Sequence, residues 1–180
     1  MAALRSEMTM GNIYVRALSA SRTRGRLIFG PLSVACALGR TGISHEKREG
    51  DGATPSGRYR LLQVLYRADR IQRPITRLPV CALKPHDGWC DDPRHGRYNR
   101  PVRLPFSASH ERLWREDHLY DVVVILDHNQ KPRSLGGGSA VFCHLARPGY
   151  LPTEGCVAVS LADMCRLLAM ADKTTAIHIA

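Results

Sequence analysis

The sequence predicts a mainly β fold, arranged as a single-domain β-sandwich or barrel with one short C-terminal helix. Three observations support this prediction. Turn residues recur at short intervals, the apolar runs between them are short, and clear helical spacing survives in only one segment. A chain of 180 residues with 44% hydrophobic and 23% charged residues also fits one domain that buries its own core.

The N-terminal part of the chain predicts three strands before residue 40 and a fourth after a Thr-Pro-Ser-Gly turn. Each is a short run of apolar or β-forming residues with turn residues at both ends. The four runs are residues 12–18, 25–30, 32–38 and 57–66. Residues 67–118 contain many Pro, Gly, Asp and Asn residues. This composition predicts a long loop-like segment that carries function or wraps the core.

The C-terminal part predicts three strands, a glycine-containing loop and the helix. The strands are β-branched or apolar runs at residues 120–126, 140–145 and 175–179, and the loop is 131–139. Residues 161–169 have helical spacing, with Ser160 as the N-cap and Asp163 three residues later. We expect Leu161, Met164 and Leu168 to share the buried face, with Cys165 at least half packed.

The chain is basic, with 26 Lys and Arg against 16 Asp and Glu and a net charge of +10. Such a surface attracts polyanions or acidic substrates. No stretch approaches the roughly 18 uninterrupted apolar residues of a transmembrane helix. The start has no apolar run typical of an export signal, so we expect residues 1–10 to be a ragged N-terminus and the chain as written to be cytoplasmic.

The six cysteines are even in number, which permits a framework of three disulfides. A chain of this size and apolar content can form its core without them, and no pair has C-x-x-C spacing. We therefore expect reduced thiols, at least one of them catalytic. Cys36 and Cys143 lie in predicted strands, where a free cysteine is typically buried in the core.

One cysteine and one histidine form a candidate catalytic pair. A predicted strand ends at His144, and after a loop the pair Gly155-Cys156 precedes the helix. Strand alternation places Phe142 and His144 on one face and Cys143 on the other. Thiol catalysis needs a base to form the thiolate and donors for the developing oxyanion. From residue types alone, a packed core cysteine remains the alternative to a nucleophile.

The residues around this pair resemble a known family. The segment Thr153-Glu-Gly-Cys-Val-Ala158, with His144 upstream, is similar to the active-site motif of the L,D-transpeptidase catalytic domain, also called the YkuD domain. The segment KREGDGATPSGRY at residues 47–59 resembles the family's TP-x-G-x-aromatic strand, and the later strands follow the family's order. The resemblance covers residues 11–180 and implies one catalytic domain with the β fold of the L,D-transpeptidase type.

The resemblance implies roles for the motif residues. Cys156 would be the nucleophile and His144 its general base, the N–H groups of Gly155 and Cys156 would stabilise the oxyanion, and Thr153 occupies the family's Ser/Thr position. The substrate would be a peptidoglycan stem peptide, which forms a thioester and releases a D-amino acid. An amine acceptor would then give a cross-link, whereas water would give L,D-carboxypeptidase action. No metal or organic cofactor is expected, and this substrate implies the periplasm or cell wall.

Two positions depart from the family pattern. Glu154 stands where the family usually has a histidine, and Ala158 stands where it commonly has Asn or Arg. A carboxylate that faces the sulfur would raise the pKa of the thiol. We therefore expect Glu154 to point outward or to bind an amine such as the acceptor.

Three further residues are candidates for the walls of the site. Arg147 is close in sequence to the base, and it either holds a substrate carboxylate or is solvated in its loop. Tyr120 begins a predicted strand near the site and has a hydroxyl that can donate a hydrogen bond there. Trp89 lies in a polar and aromatic loop, which is either a substrate-facing wall or, as we favour, a surface loop with Trp89 inserted into the core.

The sequence disfavours two other classes of function. Cys156, His144 and Glu154 are all metal-ligand types, but two ligands on one turn with one distant histidine make a poor zinc site. A basic β-domain that binds nucleic acid is the alternative of a different class, because Lys and Arg contact phosphates. Only 6% of the residues are aromatic and no base-stacking motif is present, so we expect no nucleic-acid partner.

Overall fold

A computed structural model describes residues 11–180, and the N-terminal segment 1–10 lies outside this range. The described chain is mainly β, with one α-helix and a short 3-10 turn at Pro148–Tyr150, so the predicted fold class is confirmed. The strands are β1 (Ile13–Leu18), β2 (Ser21–Phe29), β3 (Leu32–Ala37), β4 (Ile43–Ser44), β5 (Thr54–Pro55), β6 (Gly57–Tyr66), β7 (Val80–Ala82), β8 (Asp87–Cys90), β9 (Arg100–Arg103), β10 (His110–Arg112), β11 (Val122–Leu126), β12 (Phe142–Leu145), β13 (Val157–Val159) and β14 (Ala176–Ile179), and the helix is α1 (Leu161–Met170).

The large sheet closes on itself as a barrel. Its strands follow the order β11-β12-β13-β3-β2-β1-β14-β6, and β6 pairs again with β11 to complete the ring. The two closing strands are antiparallel, and Tyr66 at the end of β6 stands opposite Val122 at the start of β11. β7 adds to β6 in parallel at the side. Closure leaves the ring strands without free edges, which would otherwise attract other chains.

The barrel strands bury apolar side chains on alternate positions. In β2 the three buried positions are Gly25, Leu27 and Phe29, and the intervening residues face solvent. β11 differs, because all five of its residues are buried. Val122 and Val124 pack in the barrel core, whereas Val123 and Ile125 pack in a second cluster on the outer face. The continuous β-branched run of this strand therefore reflects burial on both faces.

Residues 67–118 differ from the predicted loop. They contain β7, β8, β9 and β10, and the last three form a small sheet in the order β10-β8-β9. Trp89 on β8 and Leu113 pack against the outer face of β11 and β12. These strands have three or four residues each, too short to produce the apolar run by which the longer strands were predicted. The expectation that this segment wraps a core is correct, and Trp89 is inserted into the core as favoured.

The helix begins and is capped as the sequence predicts. The Ser160 hydroxyl accepts a hydrogen bond from the Asp163 N–H at 3.1 Å, which satisfies one of the free donors of the first turn. Its buried face differs in part, because Leu167 is buried with Met164 and Leu168, whereas Leu161 in the first turn is exposed.

Several element boundaries and one cysteine differ from the predictions. β2 begins at Ser21, and β12 begins only at Phe142 because Ala140 has a positive φ of 49°. β13 was not predicted as a strand. Cys165 is exposed rather than packed, while Cys36 and Cys143 are buried as expected. Over the described residues, no helix has the length and apolar character needed to cross a bilayer.

Candidate active site

Two neighbouring parallel strands carry the candidate catalytic pair. In the β12–β13 register, Cys143 stands opposite Val157 and His144 opposite Ala158. Cys156, one residue before β13, is therefore level with Phe142, two residues before His144. Two residues along a strand span about 6.6 Å, and they share one face. The register thus places the sulfur and the imidazole on the outer face of the barrel, within one pocket.

Cys156 follows a turn that requires glycine. Gly155 has a φ of +134°, and a Cβ at this position would lie 2.7 Å from the Ala53 carbonyl oxygen. Both the backbone conformation and the close approach exclude a larger residue. The Thr153 hydroxyl holds the turn, because it accepts from the Gly155 N–H at 3.1 Å and donates to the Cys156 carbonyl at 2.6 Å.

The thiol of Cys156 is hydrogen-bonded on both sides. It donates to the Ala140 carbonyl at 3.2 Å and accepts from the Phe142 N–H at 3.3 Å. The residue is only 8% exposed, and burial raises the pKa of its thiol to about 12. The carboxylate of Glu111 also raises this pKa, whereas the Phe142 N–H and the charge of Lys47 lower it. The resting sulfur is therefore a protonated thiol.

The ring of His144 has a defined orientation. Its Nδ1 lies 2.9 Å from the Leu145 carbonyl oxygen. Because a carbonyl only accepts, Nδ1 carries the proton and Nε2 is the free basic atom. Burial lowers the pKa of His144 to about 4, so the imidazole is neutral at pH 7 and can accept a proton. The ring also packs edge-on against Tyr120, with 5.2 Å between centroids.

A pocket of about 390 Å³ contains the site. The seven residues for which the sequence predicts catalytic or substrate-binding roles all line it, including Thr153, Glu154 and Arg147, whereas Trp89 does not. No hydrogen bond joins Cys156 to His144 among the described residues. The thiol bonds to Ala140 and the imidazole to Leu145, while both side chains border the same pocket. A molecule bound in this pocket can therefore contact both residues.

The two residues that depart from the family pattern differ in exposure, because Glu154 lies at the pocket rim and Ala158 is buried. Glu154 points outward, with its carboxylate 80% exposed and 2.8 Å from the Nε of Arg40. The groups that shift the pKa of Cys156 are Glu111, Phe142 and Lys47, and the Glu154 carboxylate is not one of them. Ala158 is buried in β13 opposite His144. Arg147 is exposed at the pocket rim, where its guanidinium can reach a substrate carboxylate.

Tyr120 donates its hydroxyl hydrogen bond to Glu111 at 2.6 Å. It precedes β11 by two residues rather than beginning that strand. Glu111 is largely buried, and burial raises the pKa of its carboxyl. The guanidinium of Arg115 lies 5.1 Å from the Tyr120 ring centroid and 3.5 Å from the Glu111 carboxylate. This charged group was not anticipated from the sequence, because residues 111 and 115 reach the site only through the fold of the 67–118 segment.

Trp89 and Asn99 form a hydrogen-bond network that contacts the backbone of Ala140 next to the site. The indole N–H of Trp89 donates to the Asn99 side-chain oxygen at 2.9 Å, and the same oxygen accepts from the Ala140 N–H at 3.2 Å. Asn99 is buried, and its side-chain N–H group bonds the carbonyls of His128 and Asn129. This network holds Ala140 in the conformation in which its carbonyl meets the thiol. Sequence analysis missed this positioning role.

Lys47 is a further pocket residue that the sequence analysis did not single out. It belongs to the KREGDGATPSGRY segment, which was recognised only as part of the family motif. Across residues 11–180, no group of three or more His, Cys, Asp or Glu side chains has the arrangement of a metal site.

The fold and the site together define a mainly β, barrel-shaped domain in which a cysteine on a glycine turn and a buried histidine line one pocket. The family model of YkuD, the L,D-transpeptidase catalytic domain, matches residues 17–179. The chain belongs to this family, and it carries a catalytic domain of the L,D-transpeptidase type. Comparisons with curated proteins and with solved structures found no match.

Proposed function

We propose that the protein is a cysteine acyltransferase that acts on peptidoglycan stem peptides. The thiol of Cys156 attacks the carbonyl carbon of the diaminoacyl residue. The C–S bond of a thioester forms there, the amide bond to the following D-amino acid breaks, and that D-amino acid leaves with the proton on its amine. The observation that carries this proposal is the pocket that Cys156 and His144 share, built on the family's motif. Family membership supports peptidoglycan as the substrate class.

The proposed proton path begins at the sulfur. Nε2 of His144 takes the thiol proton as the C–S bond forms, and it returns the proton to the leaving amine. The neutral imidazole and the bond from Nδ1 to Leu145 support this role, because they leave Nε2 unprotonated and oriented. Since the thiol is protonated at rest, proton transfer accompanies attack rather than preceding substrate binding.

The tetrahedral intermediate needs donors for its oxyanion. The proposal assigns the Cys156 N–H as the first donor. The Gly155 N–H is shared with the Thr153 hydroxyl, so Thr153 acts as a positioning residue for this turn. Arg147 and the pocket's acidic residues border the space where the rest of the stem peptide binds.

Covalent acylation tests the nucleophile. Incubation with a tetrapeptide stem or with a carbapenem, followed by intact-protein mass, is expected to give an adduct on the wild-type protein. Cys156→Ala is expected to give none, because no other sulfur lines the pocket of the described chain. Cys165→Ser, which changes an exposed thiol on the helix, is the matched control and should acylate normally. An adduct and turnover that persist in Cys156→Ala would contradict the assignment.

The second half of the reaction distinguishes two outcomes. An amine acceptor resolves the thioester into a cross-linked peptide, and water resolves it into the shortened stem. Product masses from a stem peptide with and without an added amine acceptor separate transpeptidation from L,D-carboxypeptidase action. We propose transpeptidation as the main activity, so the cross-linked product should exceed the hydrolysed one when acceptor is present.

A further inference from the structure

We propose that the ammonium group of Lys47 is the positive charge that stabilises the ionised sulfur of Cys156. The inference rests on the proposed role of Cys156 as nucleophile. The family's usual histidine and Asn or Arg are absent at Glu154 and Ala158, and neither replacement brings a cation to the sulfur. Lys47 reaches the same turn from a different part of the chain.

Lys47 is held in a fixed place. It lies in the loop between β4 and β5, and its side chain is only 7% exposed. Its Nζ donates to the Arg48 carbonyl at 3.0 Å and to the carboxylate of Asp51. An ammonium has three N–H donors, and these two hydrogen bonds use two of them.

The ammonium approaches the turn that carries the sulfur. Nζ lies 3.5 Å from the position that a Cβ on Gly155 would occupy. The aliphatic part of Lys47 passes similarly close to Gly138, at 2.9 Å from the corresponding position. Both contacts depend on glycine, because a side chain at either position would meet the lysine. The two glycines therefore leave the space through which the cation reaches the active-site turn.

Of the ion pair that Lys47 forms with Asp51, Lys47 is the member that lines the pocket. Asp51 also accepts from the N–H groups of Arg48 and Ala53, and these bonds hold its charge on the loop side. The positively charged member of the ion pair, Lys47, therefore faces the active site. Because the Lys47 side chain is only 7% exposed, its charge acts on a nearby anion more strongly than a charge at the surface would.

Other charges border the same pocket. The acidic groups are Glu49, Asp91, Glu111 and Glu154, and the basic groups are His144, Arg115 and Arg147, with Tyr120 between Glu111 and His144. Glu111 disfavours a thiolate at Cys156, while Lys47 favours it. Glu49 is bound by the hydroxyls of Tyr98 and Ser139, and Arg115 pairs with both Asp117 and Glu111. Lys47 is the pocket cation whose charge lowers the pKa of the Cys156 thiol.

The test measures the thiolate fraction without substrate. The alkylation rate of Cys156 by iodoacetamide, a neutral reagent, is followed at a fixed pH near 8 by peptide mass mapping, with exposed Cys165 as the internal reference. Lys47→Met is expected to slow alkylation of Cys156 about tenfold, which corresponds to one pKa unit, and to leave Cys165 unchanged. Lys47→Arg keeps the charge and should remain close to wild type. A wild-type rate in Lys47→Met, or a Lys47→Arg rate as slow as that of Lys47→Met, would overturn the proposal.

A second variant gives an effect of opposite sign. Asp51→Asn removes the counter-charge while retaining one side-chain oxygen, which can accept from one of the two loop N–H groups, so alkylation of Cys156 should become faster than in wild type. If Lys47→Met fails to fold, the alkylation rate of Asp51→Asn alone tests the role of Lys47. An alkylation rate of Cys156 in Asp51→Asn that is equal to or below that of the wild-type protein contradicts the proposal. Acylation of the wild-type protein is measured separately. If acylation fails, the proposed function fails, whereas normal acylation with unchanged alkylation rates removes only the role of Lys47.

Discussion

At the residue scale, the neutral state of His144 has a consequence for pH dependence. Burial lowers the pKa of the imidazole to about 4, below its ordinary value of 6.5. In the proposed mechanism His144 accepts a proton and must be unprotonated, so the rate of Cys156 acylation should fall only as the pH drops towards this lowered pKa. We expect an acid limb near pH 4 to 5 in the acylation rate, with the fold checked by circular dichroism at each pH.

His144→Gln is the comparison for this profile. It removes the base but keeps a polar side chain, so acylation should be slow throughout the range and the acid limb should disappear. An acid limb centred near 6.5 in the wild-type protein would contradict the buried, neutral imidazole. A His144→Gln profile that matches wild type would remove the residue from the role of base.

The residues of the site were predictable to different degrees. His144, Gly155 and Cys156 lie in one short motif, and strand alternation correctly separated His144 from the core thiol Cys143. Lys47 and Glu111 were not anticipated. Their nearness to the sulfur depends on how the loop after β4 and the segment before β11 fold against the barrel, and no local sequence pattern encodes that contact.

At the element scale, the single helix depends on its N-cap. The Ser160 hydroxyl accepts from the Asp163 N–H and donates to the Asp163 carboxylate at 2.6 Å. Ser160→Ala should lower the free energy of unfolding by about 1 kcal/mol, measured by urea denaturation. Ser33→Ala, at an exposed position of β3, is the matched control and should change stability little. An equal decrease in the free energy of unfolding in the two variants would show that the N-cap does not contribute to stability.

The predictability of the elements follows their length and burial. β6, β11 and α1 were identified because each has a run long enough to show its period or its β-branched content. β13 and the small sheet were missed. Three-residue strands have no measurable period, and their pairing is determined by neighbours that are distant in sequence.

At the scale of the whole molecule, the net charge of +10 should govern attraction to an anionic cell-wall polymer. The Cys156→Ala variant, which lacks the proposed nucleophile, should co-sediment with insoluble peptidoglycan at low salt. Binding should weaken as the ionic strength rises from about 0.01 M to about 1 M, over which the Debye length falls from roughly 30 Å to 3 Å. Cellulose, an uncharged glycan, is the control surface. Retention that does not respond to salt would contradict an electrostatic contribution.

The mainly β fold class was predictable from composition and turn spacing, whereas closure of the barrel was not. Closure depends on the pairing of β6 with β11, two strands that a segment of more than fifty residues separates in the chain. The sequence identified both strands, but their pairing is a property of the assembled sheet.

The same pairing brings the two ends of the intervening segment next to each other. Tyr66 and Val122 stand opposite each other on adjacent antiparallel strands, as the two ends of a simple hairpin would. The segment between them supplies Glu111, Arg115 and Tyr120 to the pocket, while Cys156 and His144 belong to the barrel itself. The proposed catalytic pair and one wall of the pocket thus come from separate parts of the chain. A different segment between these two strands would alter that wall and leave the strands that hold Cys156 and His144 unchanged.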